Sequence, residues 1–339
     1  MRFAARSLAI VVIAAITSAP LTAAESAQPF YAGKQMTITV GEPPAGGADA
    51  YARLIQRHLA RHIPGAPAIV VQNMPGAGSL KAVTWLTSAP VDGTSMVIFN
   101  SELLAQSLIA PQRVHVDFRQ FNWIGNVSED LRVCYVWAAS GIADWQALKS
   151  RAKPLFWGAT AAGTAGNADA AMLQQLFGVK LRPVQGYAGA AEKRLAVERR
   201  EIDGDCGGWS AIPPDWLRGN KINILVRLSP TLVPGMDARI PFAGDLVSNE
   251  RERKLYEFLV APERLGRVFV MSAKAPADRA AALRTAFNAM LADPAFRAEA
   301  MRLNLLVTPM TGEEVARRIA DLYATSPDVI VEAKKTLGQ

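Results

Sequence analysis

Three glycine-rich turns hold the residues of this sequence best suited to gripping a ligand. They are Pro43-Pro44-Ala45-Gly46-Gly47-Ala48-Asp49, Asn73-Met74-Pro75-Gly76-Ala77-Gly78-Ser79, and the run from Gly158 through Thr160, Ala161, Ala162, Gly163 and Thr164 to Asn167. Each follows a strand-like apolar run and precedes a helical pattern. Glycine lets the backbone approach a ligand closely. The helix that follows offers free N–H groups and the positive end of its dipole to an anion. In open α/β sheets, ligands bind outside the carboxyl ends of the strands, where such turns lie. The chemistry predicted is recognition of a small anion.

Rival chemistries fail on their own residues. Gly158 and Gly163-Thr164 have the spacing of a phosphate loop but lack its Lys. Gly208-Trp209-Ser210-Ala211-Ile212 is one Gly short of a nucleophile elbow, and no His follows it. His58 and His62 share a helix face, but Leu59 stands where a zinc protease has Glu, and no third ligand is in view. His115 sits in a polar loop. Glu42, Asp49, Glu102, Asp203 and Asp205 lie near strand ends, where carboxylates could serve catalysis or cap helices. No metal and no cofactor is expected.

The 339 residues are 50% hydrophobic and 20% charged, with only three His and two Cys, so finger-type zinc sites are excluded. The net charge of +7 invites a nucleic-acid reading. Its Lys and Arg are interleaved with acids, however, as in Glu250-Arg251-Glu252-Arg253-Lys254, which is the pattern of a solvated helix face. Arg2 and Arg6, the apolar run Leu8 to Ile16 and the small residues Thr22-Ala23-Ala24 form the three regions of a secretory signal peptide. Cleavage near Ala24 would leave a soluble, exported chain of net charge +5. An exported chain can carry a disulfide. Cys134 and Cys206 are either bridged or separately buried thiols, depending on whether their strands are neighbours.

These turns need elements to hold them. The sequence predicts strands at 36–40, 69–72, 96–100, 123–127, 132–138, 155–158, 181–185 and 204–206. Helices are predicted at 48–62, 80–87, 102–108, 145–150, 168–177 and 190–199, and over 276–291, 294–303, 312–323 and 327–337 in a mainly helical final third. The alternation argues for α/β layers with mostly parallel sheets. The length suggests two domains. The absence of a low-complexity linker suggests that the chain crosses between them on strands.

Read together, these residues resemble the Bug family, periplasmic solute receptors of tripartite tricarboxylate transporters. The resemblance runs from about Tyr31 to Leu337. It rests on the Gly46-Gly47 turn with Asp49 and Ala52-Arg53, Asn73 with Pro75-Gly76-Ala77-Gly78, Asp92-Gly93-Thr94, Tyr187 with Gly189, Glu201-Ile202-Asp203, Ala292-Asp293-Pro294 and Thr311-Gly312-Glu313-Glu314. It implies a type II periplasmic binding fold, two α/β domains with a ligand cleft between them. Residues 25–126 plus 229–339 would form the first domain and 127–228 the second. The implied role is a monomeric receptor without catalysis, which binds a small organic acid or amino acid and delivers it to membrane permease subunits. A sensing adaptor for a kinase and an exported carboxylate-acting enzyme are the alternatives. The residues carried over to the cleft are Ala45 to Asp49 and Thr160 to Thr164, with Ser101, Asn126 and Tyr187 as further wall, and Glu102 and Trp209 less strongly. Ala171 replaces the family's usual His, and Glu42 an aromatic residue. Glu42 would repel a polycarboxylate and leaves room for a zwitterion or monocarboxylate, whose ammonium group Asp205 could meet.

Overall fold

Met36, Ile38 and Val40 recur at every second position and are fully buried, so Gln35–Val40 forms a strand with one face committed to the core. In the helix that follows, Tyr51, Leu54, Ile55 and Leu59 return at helical spacing to cover that strand. The computed structural model describes residues 29–159, 164–187 and 189–339. The segment predicted as a signal peptide and Thr160 to Gly163 lie outside the described residues.

In chain order, the first part contains β1 (Gln35–Val40), α1 (Gly47–Leu59), β2 (Ala68–Asn73), α2 (Leu80–Ser88), β3 (Ser95–Ile98), α3 (Glu102–Ile109) and β4 (Asn122–Asn126). The middle part contains β5 (Arg132–Trp137), α4 (Trp145–Ser150), β6 (Leu155–Gly158), α5 (Ala165–Gln175), β7 (Leu181–Val184), α6 (Ala190–Glu198), β8 (Gly204–Gly208), α7 (Pro214–Arg218) and β9 (Ile222–Arg227). The last part contains α8 (Glu250–Leu265), β10 (Val268–Met271), α9 (Ala277–Ala292), α10 (Pro294–Arg302), β11 (Met310–Thr311), α11 (Gly312–Tyr323) and α12 (Pro327–Thr336).

The strands form two sheets, ordered β2-β1-β3-β10-β4-β11 and β7-β6-β8-β5-β9. The expectation of mostly parallel sheets is corrected. β1 with β2 and β3, and β6 with β7 and β8, are parallel; β10 against β3 and β4, β11 against β4, and β5 against β8 and β9 are antiparallel. A parallel neighbour needs a helical crossover. β5 and β10 instead enter from the other sheet and so run against their neighbours.

Those directions place the carboxyl ends of β1, β3 and β4, with the amino end of β10, on one edge of the first sheet. In the second sheet, the carboxyl ends of β6, β8 and β9 share an edge with the amino end of β5. Residues 127–131 alone join β4 to β5. A segment that short reaches at most roughly 20 Å, which keeps the two edges close together. One hydrophobic core runs through both sheets, taking Val97, Trp123 and Val270 from the first, Val136, Trp157 and Cys206 from the second, and Phe258, Leu322 and Val329 from the helices. Smaller cores cover the outer faces, around Ile38, Leu54 and Phe287 in one and Tyr135, Trp209 and Trp216 in the other.

Cys134 and Cys206 face each other across β5 and β8 and are joined by a disulfide. Both are fully buried. Because the bond closes a loop over 72 positions, the chain-entropy model gives it about 4 kcal/mol. Cys134→Ala/Cys206→Ala should therefore lose roughly 2–5 kcal/mol of unfolding free energy in urea titration. An unchanged midpoint would show that the bond contributes nothing.

Candidate functional site

Gly46-Gly47 ends the loop from β1 and starts α1, at the edge that faces the second sheet. The loop is shaped by Asp49. Its buried carboxylate accepts from the Ala45 N–H (3.0 Å), Arg53 Nε (3.0 Å) and Asn73 Nδ2 (3.0 Å). Burial works against ionisation, but these bonds from Arg53, Ala45 and Asn73 outweigh it and hold Asp49 below the usual carboxylate range. Ala45 takes the left-handed conformation (φ 63°), rare for a residue with a Cβ. Asn73 also donates to the Glu42 carbonyl (3.0 Å), which ties the second glycine turn to the first. Ser79 of that second turn donates to the Gly41 carbonyl (2.9 Å) and accepts from the Asn100 N–H (3.0 Å). The second turn thus braces the first.

Asn126 closes β4 and is fully buried. Its Oδ1 accepts from the backbone N–H of Ser128 (3.1 Å) and of Arg267 (3.0 Å), and its Nδ2 has no partner among the described residues. Ser101 is buried just before α3. Tyr187 is half-buried between β7 and α6, and Thr164 precedes α5. Asp205 is 1% exposed, with Lys193 Nζ at 2.5 Å. The ammonium it meets is therefore the chain's own. Burial first raises its pKa, against the pull of Lys193. Trp209 is buried in the second outer core, and its backbone N–H donates to the Leu131 carbonyl (2.6 Å).

Two arginines escaped the sequence reading. Arg132 opens β5, with Asp169 of α5 at 2.5 Å, Glu263 of α8 at 3.2 Å and Asp130 of the crossing at 3.6 Å. Arg267 precedes β10. Gly266 before it has φ 50°, and a Cβ there would stand 2.3 Å from the Ser128 carbonyl, so only glycine lets the two segments touch. The Arg267 side chain is 20% exposed, and its Nη2 lies 3.7 Å from Asp130 Oδ1. Against the cost of burial, the charges of Asp130 and Glu42 raise its pKa. No local pattern marks either residue; only the meeting of the two strand edges gives them a role.

Glu102 opens α3 at 7% exposure. Burial, then the charge of Asp169, pushes its pKa up to about 8, with Arg132 opposing. Burial and then Asp169 push Glu263 up as well. The floor between the sheets is thus a crowded set of acids around two guanidinium groups.

Features elsewhere are separate from this floor. His58 and His62 contact Glu299 (2.5 Å) and Asp293 (3.2 Å) of the α10 region. Among the described residues, no group of three His, Cys, Asp or Glu could hold a metal ion. No helix among them is long and apolar enough to cross a membrane. A hollow of about 400 Å³ lies between α8, α11 and α12, lined by Phe258, Arg264, Leu322 and Val329 among others.

Comparison with known proteins gives the fold its relatives. A TctC solute binding protein from Polaromonas superposes with a TM-score of 0.70 at 18% identity, covering 91% of this chain and 99% of that one. The periplasmic binding protein BugD gives 0.67 at 18%, covering 90% and 98%. MatC of Rhodopseudomonas palustris, solved with bound malate, gives 0.66 at 17%, covering 88% and 99%. The chain therefore has the two-domain fold of periplasmic binding proteins. A UPF0065 protein of Pseudomonas sp. (strain P51), from the tcbD-tcbE intergenic region, is 30% identical over 112 residues. That match covers 32% of this chain and about a third of the relative's length (33%). No protein-family model matches the chain.

The raised pKa of Glu102 fixes the sign of a pH effect. The folded chain keeps this proton up to about pH 8, whereas the unfolded chain loses it near 4.5. Stability from this group is complete below the lower value and is lost as pH rises through the upper one. Glu102→Gln should flatten the fall in unfolding free energy between about pH 5 and 8 and gain at least ~1 kcal/mol over the parent at the upper end. Superimposable pH profiles would contradict the protonated Glu102.

Proposed function

We propose that this chain is a periplasmic solute receptor of the tripartite tricarboxylate type. It binds a small carboxylate-bearing ligand between two lobes and passes it to membrane permease subunits. The lobes are residues 25–126 plus 229–339 and residues 127–228, each built on one of the two sheets. The observation that carries this reading is the meeting of the two strand edges across residues 127–131, with the Gly46-Gly47 turn and the α1 amino end on the rim.

Ala45 to Asp49 face the ligand from the first lobe in this reading, with Ser101 and Asn126 beside them. Thr160 to Thr164 and Tyr187 face it from the second. Backbone N–H groups of the turns take the carboxylate, through direct bonds and ordered water. Asp205, neutralised by Lys193, supports the second lobe's wall. The role includes no catalysis and acts on a single copy of the chain. Support comes from the fold likeness, which covers about nine-tenths of this chain. The malate bound to one relative and the adipate bound to another support the carboxylate class.

Thermal shift against a panel of small mono- and dicarboxylates and amino acids tests the reading. A ligand at about 100 times its Kd should add about 2.7 kcal/mol, raising Tm by roughly 4 °C. A panel in which no acid raises Tm would contradict the receptor reading.

A further inference from the structure

The rim of the Gly46-Gly47 turn carries one positive side chain with only a long ion pair and one negative side chain with none among the described residues. On one side is Arg267, whose Nη2 stands 3.1 Å from where a Cβ on Gly47 would be. Any larger residue there would push the guanidinium aside. Among the described residues that guanidinium makes no hydrogen bond, and its nearest carboxylate oxygen is Asp130 Oδ1 at 3.7 Å. Asp130 is itself shared with Arg132 (3.6 Å). The Arg267 backbone is held firmly, with its N–H given to both Asn126 Oδ1 (3.0 Å) and the Ser128 carbonyl (2.8 Å). On the other side is Glu42, half-buried, with Oε2 3.7 Å from where a Cβ on Gly46 would be. Its carboxylate forms no ion pair among the described residues, although its charge reaches Arg267.

Building on the receptor reading above, we infer that the ligand is a zwitterion. Its carboxylate sits on Arg267 beside the α1 amino end, and its ammonium group sits on Glu42. A guanidinium favours a carboxylate by paired, charge-assisted hydrogen bonds. A carboxylate on the same rim rewards an ammonium group and penalises a second carboxylate. Discrimination of this kind comes as much from the repulsive element as from the attractive one. The class is therefore amino acids and related ammonium carboxylates, in preference to plain dicarboxylates. The dipole rests on Glu42 and Arg267, since Asp205 already has Lys193.

Isothermal titration of the full exported chain with matched probes tests this: butanoate, 4-aminobutanoate and succinate, then propanoate and alanine. The amino form should bind at least ~10-fold more tightly than the plain acid or the diacid. Glu42→Gln should erase that preference while leaving the plain acids within about twofold. Arg267→Gln should weaken every carboxylate at least ~10-fold, with Arg267→Lys in between. Should Arg267→Gln fail to fold, Glu42→Gln carries the test. Diacids binding as tightly as amino forms, with no effect of Glu42→Gln, would overturn the zwitterion inference and leave the receptor reading standing. A parent chain that binds none of the probes or panel acids would remove both.

Discussion

The structure turns on one guanidinium, Arg132, set among carboxyl groups from four different segments. Asp169 comes from α5, Glu263 from α8, Asp130 from the crossing, and Glu102 from α3 lies within range of the same charge. Arg132 and, beside Asp130, Arg267 give two cations to four acids, and burying an unpaired charge costs several kcal/mol. Burial, and after it the neighbouring Asp169, pushes Glu102 up to about 8 and raises Glu263 as well. The arrangement ties helices that flank the first sheet to a strand and a helix of the second. It therefore fixes how the two strand edges face each other.

That constraint places everything at the rim. The crossing that carries Asp130 is also the acceptor for Arg267, through Ser128, and Gly266 lets α8 end directly against it. Arg267 can then reach under the start of α1, where Asp49 and Asn73 have already shaped the glycine turn. A polar floor, a braced turn and two opposite charges at the rim result from residues far apart in the chain. In a receptor of this fold, closure of one lobe on the other would complete the site from the second lobe.

Much of this was legible in the residues, and what was not has a physical reason. The alternation in β1 and the helical spacing of α1 are local, and both elements sit where the spacing put them. Strand direction is not local, so the antiparallel β5 and β10 could not be read from alternation. α8 was hidden because its first turn is nearly all charged and Pro262 interrupts its end. β10 is four residues long, too short for a period to show. The glycine turns were visible as turns. Arg132 and Arg267 were two among many arginines until the edges met. The pairing of Cys134 with Cys206 depended on register between strands 72 positions apart, which no spacing encodes.

A crystal structure of the ligand-bound chain tests the central claim most directly. The expected result is a carboxylate within about 3 Å of backbone N–H groups of the Gly46-Gly47 turn and of the Arg267 guanidinium, with residues of both sheets enclosing the ligand. Electron density for the ligand in the hollow between α8, α11 and α12, with the glycine turn unoccupied, would contradict it.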